Sequence, residues 1–132
     1  MNTKHILVTG GAGFIGSNLV AALLADERVG TVRVLDDLSN GSLQNLTEFL
    51  DHPRFQFIEG DICNYDTCLQ ALEGMHLVSH QAALGSVPRS IQNPMRTTEV
   101  NILGTVNVLY AAHVQGAERV VLACSSSTYG DS

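Results

Sequence analysis

Short apolar runs alternate along the chain with stretches whose apolar residues recur at helical spacing. His5-Ile6-Leu7-Val8-Thr9 is the first run, and it stops at Gly10-Gly11. From Phe14 to Ala25, Ile15, Leu19, Ala22 and Leu23 return at the interval of one helix face. Thr31 to Leu35 predicts a second strand ending in Asp36-Asp37, Ser42 to Leu50 a short amphipathic helix, and Phe55 to Ile58 a third strand ending in Glu59-Gly60-Asp61. The alternation continues with a helix over Asp66 to Leu72 and a fourth strand over Leu77 to His80. A longer helix follows over Pro94 to Val114, with Val100, Leu103, Val106 and Tyr110 down one side and Gly116 as its stop. Val120 to Ala123 is a fifth strand. Five strands alternating with four helices predict parallel pairing in a doubly wound α/β fold. Strands this apolar are expected to be covered on both faces.

Composition bounds this picture without changing it. A chain of 132 residues, 45% apolar and 15% charged, suits one globular domain. The net charge of −6 argues against a nucleic-acid partner, which wants a basic face. It leaves room for a small phosphorylated ligand, because backbone dipoles bind phosphate without a basic surface. Cys63 and Cys68 have a C-x4-C spacing that fits no common zinc pattern, and with Cys124 they are expected to be reduced thiols. His5, His52, His76, His80 and His113 show no ligand spacing and read as surface or strand-end residues, so no metal site is expected. Only Met1 to His5 precede the first apolar run, and no apolar stretch could span a bilayer. The expectation is a soluble, cytoplasmic protein without a signal peptide or membrane partner.

The candidate chemistry begins at Thr9-Gly10-Gly11-Ala12-Gly13-Phe14-Ile15-Gly16. A G-x-G-x-x-G match is weak alone, but here a strand precedes it, a helix follows it, and Asp36 ends the next strand twenty residues after Gly16. A dinucleotide's pyrophosphate must approach bare backbone, and the free N–H groups and positive helix end then face it. Gly16 is expected to let the helix pack closely on the sheet. Asp36 can accept hydrogen bonds from the adenosine ribose and would repel a 2′-phosphate, which favours NAD over NADP. Arg33 lies within the strand and is not expected to bind phosphate. A P-loop is disfavoured because Ser17 stands where its lysine should be. Gly60-Asp61-Ile62 reads either as a strand-ending turn or as a contact with adenine.

These segments, in this order, resemble the extended short-chain dehydrogenase/reductases and, more narrowly, the nucleotide-sugar 4-epimerases. The resemblance rests on Thr9 to Gly16, Leu35 to Gly41, Glu59-Gly60-Asp61-Ile62, His80-Gln81-Ala82-Ala83, Asn101-x-x-Gly104-Thr105 and Ser125 to Gly130. It implies a Rossmann-like sheet. It also implies that Gly10, Gly13, Phe14, Ile15 and Gly16 meet the pyrophosphate, and that Asp36, Asp37 and the Ser39 to Gly41 loop hold the adenosine ribose. Asp61 and Ile62 would bracket the adenine, and Gln81, Ala82 and Ala83 would line the nicotinamide half with Asn101 close by. Position 37 is often Asn in the family, so Asp37 departs mildly from the pattern. Ser125 matches the catalytic Ser/Thr and would hydrogen-bond the sugar's 4-oxygen, with Ser126 beside it. Related dehydratases carry Asp and Glu where this chain has Ser126 and Ser127, which argues against dehydration.

Leu84 to Ser90 looks like the substrate loop of epimerases acting on UDP-N-acetylglucosamine, UDP-N-acetylgalactosamine or their uronic acids. Gly85 and Ser86 would leave room for the sugar and contact an N-acetyl group; a plain loop before a helix explains them equally well. Arg89 could simply pair with a carboxylate. The family's chemistry needs a Tyr-x-x-x-Lys, and Tyr129 is followed by no such lysine. The sequence therefore resembles the N-terminal part of an epimerase, a Rossmann domain truncated after about five strands, expected to be inactive alone and homodimeric at full length. A self-contained NAD-binding regulatory module is the other reading. The isolated chain is expected to be marginally stable, with an open sheet edge and a tendency to self-associate.

Overall fold

The computed structural model describes residues 3–39, 41–82, 95 and 99–122. Five strands form one wholly parallel sheet: β1 (Lys4–Thr9), β2 (Val29–Asp36), β3 (Phe55–Glu59), β4 (Leu77–His80) and β5 (Arg119–Leu122). Their order is β3-β2-β1-β4-β5, so the chain builds outward from β1 in one direction and then crosses to its other side. The expected doubly wound arrangement is therefore present. Its topological switch lies between β1 and β4, the place where such sheets open a crevice at their carboxyl ends.

Alternation along the strands splits the core in two. Ile6 and Val8 of β1, with Val32 and Val34 of β2, point to the face covered by α1 (Phe14–Leu24), where they join Val20, Leu24, Leu46 and Phe49. Leu7, Leu35 and Val78 point to the other face and meet Cys68, Leu72, Val108 and Ala111 of α2 (Tyr65–Leu72) and α3 (Thr105–Val114). Asn64 caps α2 by accepting from the Thr67 N–H, and Gly116, at φ 78°, ends α3 as its sequence predicts. Arg54 donates to the Val29 and Leu24 carbonyls, tying the end of α1 to the start of β2.

Three expectations change. The segment predicted as a helix over Ser42 to Leu50 is a 3₁₀ helix, Leu43–Phe49, whose buried Leu46 and Phe49 are three apart and so fall in line at three residues per turn. The stripe Val100, Leu103, Val106 and Tyr110 is not a buried one, since Leu103, Val106 and Tyr110 are exposed while Val108, Ala111 and Ala112 are buried. A π-helical stretch, Glu99–Gly104, precedes α3 and shifts the phase between residues before and after it, so one 3.6-residue stripe cannot run through both. Finally, β5 is an edge strand that is largely exposed, with Val121 and Leu122 facing solvent, because no described helix covers them. Cys68 is a buried free thiol, and burial pushes it up to about 12. Pro94, Ala123 and Cys124 lie outside the described residues.

Candidate functional site

The glycine loop leaves β1 at its carboxyl end and enters α1 through Gly13, which caps the helix with no side-chain hydrogen bond. The first-turn amides of a helix have no intrahelical acceptor, and here no side chain substitutes for one. The Gly13 N–H itself turns inward to the Gly10 carbonyl at 3.2 Å, so the amides presented outward begin with Phe14 and Ile15. Both of those side chains are strongly exposed at the helix start, at 81% and 71%. Gly10 has φ 71°, and a Cβ there would stand 2.8 Å from the Cα and N of Ala82. At Gly16 a Cβ would collide with the Gly10 carbonyl oxygen. The close approach that Gly16 permits is therefore to the glycine loop rather than to the sheet, which corrects the sequence expectation.

Asp36 ends β2 and is buried at 8% exposure. Its Oδ2 accepts from the Ala12 N–H at 2.9 Å and its Oδ1 from the Leu38 N–H at 2.7 Å. Each carboxylate oxygen keeps a further lone-pair direction for a ligand hydroxyl. The other side of the Ala12 peptide is held as well. Its carbonyl accepts from the Ser42 N–H at 3.0 Å and from Asn45 Nδ2 at 2.8 Å. A Cβ at Gly41 would lie 2.5 to 2.7 Å from Ala12 and Gly13 backbone atoms, so the segment after β2 rests directly on the glycine loop. Leu38 takes φ 63° in the turn that returns its N–H to Asp36. Ser39 donates to Asp37 through both its N–H and its hydroxyl.

Beyond β3, Asp61 Oδ1 accepts from the Cys63 N–H at 2.9 Å. Ile62 is buried beneath Gly104, and its carbonyl accepts from Asn107 Nδ2 at 2.9 Å, so its side chain belongs to the core. Arg33 donates to the Ala71 and Glu73 carbonyls at the end of α2. Across the switch point, Gln81 and Ala82 follow β4, and both N–H groups reach the Thr9 hydroxyl. The structure thus brings together Gly10, Gly13, Phe14, Ile15, Gly16, Asp36, Gly41, Gln81 and Ala82 along the carboxyl ends of β1, β2 and β4. Ala83, Gly85, Ser86, Ser125, Ser126 and the side chain of Asn101 lie outside the described residues.

Sequence reasoning missed two participants. Asn45 was hidden in an amphipathic pattern, and only the 3₁₀ turn aims it at Ala12. His80 was read as a strand-end residue, yet it is 5% exposed and bonded on both ring nitrogens. Burial lowers its pKa to about 4. Its place directly opposite Thr9 in the β1–β4 register was the available signal, once the two strands were known to pair. Among the described residues no cluster of metal-ligating side chains occurs, and no helix is long and apolar enough to cross a membrane.

Comparison with known proteins agrees with this geometry. The model of the NAD dependent epimerase/dehydratase family matches residues 6–132. A UDP-glucose 4-epimerase of Mycolicibacterium smegmatis is 44% identical over 126 residues, covering 94% of this chain and 40% of that protein. The dTDP-glucose 4,6-dehydratase DesIV of Streptomyces venezuelae, a double mutant crystallised with NAD, superposes with a TM-score of 0.91 at 39% identity, over 96% of this chain and 41% of that one. The UDP-N-acetylglucosamine 4-epimerase of Methanobrevibacter ruminantium, in complex with UDP-N-acetylmuramic acid, gives 0.87 at 35% identity, over 100% and 41%. The chain spans about two fifths of the length of these relatives. It belongs to the NAD dependent epimerase/dehydratase family.

Proposed function

Starting from membership of that NAD-dependent family, we propose that this chain binds NAD along the carboxyl ends of β1, β2 and β4, as the N-terminal part of a nucleotide-sugar 4-epimerase. The observation that carries the reading is the Ala12 peptide, gripped by Asp36 on its N–H and by Ser42 and Asn45 on its carbonyl. One carboxylate thereby fixes the phosphate-facing loop and still offers lone pairs to a ribose. The residues fit the dinucleotide: outward amides at the start of α1, glycines where a Cβ would collide, and an acidic residue at the end of β2.

In this reading Phe14 and Ile15 offer amides to the pyrophosphate, while Gly10, Gly13 and Gly16 keep the backbone close. Asp36 holds the adenosine ribose, with Asp37, Ser39 and Gly41 shaping its wall. Asp61 and the Ile62 backbone border the adenine. Gln81, Ala82 and Ala83 border the nicotinamide half, with Asn101 near. NAD supplies a reversible hydride acceptor for carbon 4 of the sugar. Ser125 hydrogen-bonds the sugar's 4-oxygen and Ser126 adds a polar contact, while Gly85 and Ser86 accommodate an N-acetyl group. The substrate is accordingly a UDP-N-acetylhexosamine or its uronic acid, and the full-length protein is a homodimer. Ser126 and Ser127, where dehydratases carry an acid and a base, favour epimerisation.

Calorimetric titration tests the cofactor: NAD binds the chain more tightly than NADP, and Asp36→Arg abolishes the preference. Undiminished NAD binding by that variant would overturn the role of Asp36. Reading the gene past codon 132 for a Tyr-x-x-x-Lys, then assaying its product on UDP-N-acetylglucosamine and UDP-glucose, tests the substrate. A product that turns over only UDP-glucose refutes the hexosamine assignment.

A further inference from the structure

We propose that Thr9, His80 and Thr105 form a hydrogen-bonded tether that holds the Gln81–Ala82 backbone against the glycine loop, and so positions the nicotinamide half of the dinucleotide. The second part rests on Gln81 and Ala82 bordering that half; the tether itself stands on geometry alone.

Thr9 is wholly buried, and its hydroxyl is surrounded by three partners. The Gln81 N–H reaches Oγ1 at 3.0 Å and the Ala82 N–H at 3.2 Å. Imidazole Nδ1 of His80 lies 2.6 Å away. A hydroxyl has two acceptor directions and one proton. The two amides are donors only: the Ala82 N–H takes one acceptor direction, the Gln81 N–H is shared between the other and the Thr9 carbonyl at 3.0 Å, and the proton goes to His80 Nδ1. That nitrogen is therefore bare, and the ring hydrogen sits on Nε2, which donates to Thr105 Oγ1 at 3.0 Å. Donor counting thus fixes one tautomer and one direction of bonding, from the turn after β4, through β1, back to β4, and on to the first residue of α3. A second ring proton on Nδ1 would face an oxygen with no acceptor direction left. The buried, neutral ring agrees with this.

The position of the tether gives it a role beyond filling the core. Thr9 and His80 are partners in the β1–β4 register, at the carboxyl ends of the two strands between which the sheet reverses. A dinucleotide crosses the sheet there. Asp36 and Asp61 lie on the β2–β3 side of the crossing, whereas Gln81 and Ala82 lie on the β4 side. Gly10 meets the Gln81–Ala82 backbone directly, so any rotation of that backbone presses on the loop. The three side chains are positioning residues, each acting through the backbone it holds.

ADP-ribose, which is NAD without nicotinamide, separates this role from general stability. Thr9→Val keeps the shape and removes the hydroxyl, leaving the Ala82 N–H and Nδ1 without it while the Gln81 N–H keeps only the Thr9 carbonyl. It should raise the Kd for NAD about tenfold while the Kd for ADP-ribose changes less than about twofold. Thr9→Ser should restore NAD binding, and Thr105→Val should cost about threefold on NAD alone. Parallel weakening of both ligands, or no change in either, overturns the positioning role. If Thr9→Val fails to fold, nitrogen NMR of the unsubstituted chain at pH 7 decides: His80 protonated on Nε2 supports the tether, and protonation on Nδ1 overturns it. An unsubstituted chain that binds ADP-ribose as tightly as NAD refutes the nicotinamide border, with the tautomer still reporting on the tether.

Discussion

Around Asp36 and Ala12 the chain satisfies its own polar groups, whereas around β5 and α3 it leaves apolar side chains in solvent. On the first side, the Ala12 peptide and the Asp36 carboxylate hold each other, and Val8, Val34 and Leu46 behind them are fully buried. On the second, Ile102, Val106 and Tyr110 of the π–α3 segment and Val121 of β5 are more than half exposed. The difference teaches where this fold is self-sufficient. The first half draws its contacts from the consecutive elements β1, α1 and β2 and from the 3₁₀ helix that follows them, all within the described residues. The other half presents an apolar surface with no described partner, the kind of surface that marks an interaction site.

The contrast breaks most sharply at Gly10. Gly10→Ala adds left-handed strain and an overlap with the Ala82 backbone, so it should cost about 2–4 kcal/mol in denaturant unfolding and abolish NAD binding. Val121→Ala, on the exposed side, should cost less than about 0.5 kcal/mol in the same measurement. Equal effects would erase the distinction.

Acid tests the junction between the halves. The folded pKa of His80 is about 4, below the 6.5 of an unfolded histidine. Above pH 6.5 the ring is neutral in both states and has no pH effect. Between 6.5 and 4 the unfolded chain binds more protons, so stability falls with falling pH, by an order of 2–3 kcal/mol in all. Urea midpoints at pH 7, 5.5 and 4.5 should trace the decline, and His80→Gln should flatten it. A decline unaltered in that variant would assign the effect to other groups.

Smaller effects sharpen the picture. Asn45→Ala removes one of two donors to the Ala12 carbonyl and should cost about 1 kcal/mol. NAD binding should weaken a few-fold while adenosine, which lacks phosphates, is bound as before; a matching loss for adenosine would remove Asn45 from the phosphate side. Val106→Glu on α3 should change stability by less than about 0.5 kcal/mol and should lower self-association in light scattering. An unchanged scattering mass would exclude Val106 from the associating face.

Much of the fold was legible because burial imposes period. The apolar runs from His5 and Leu77 read as strands and the spacing from Phe14 as a helix, although its buried face runs through Gly16, Val20 and Leu24 rather than Ile15, Leu19, Ala22 and Leu23; the strands pair in parallel as alternation required. Legibility failed where local geometry departs from ideal repeats. The π stretch before Thr105 rotated the buried face from Val106 and Tyr110 to Val108, Ala111 and Ala112. The 3₁₀ turn after Ser42 aimed Asn45 at a carbonyl 33 positions earlier in the chain. At the site, Asp36 and the glycines were readable because their chemistry demands fixed residue types at fixed spacing. His80 stood inside one of the ordered motifs, but its own bonding was not readable, because both its partners come from distant elements.

The alternating elements, the glycine loop, the acidic residue closing β2 and the ordered motifs of the family are written in the residues alone, since steric and hydrogen-bonding demands act locally along the chain. That Asp36 and Asn45 grip one peptide from two sides, and that Thr9, His80 and Thr105 meet, emerges only in the folded chain. Those contacts join residues 24 to 71 positions apart, and strand order and register alone bring such distant groups within hydrogen-bonding reach.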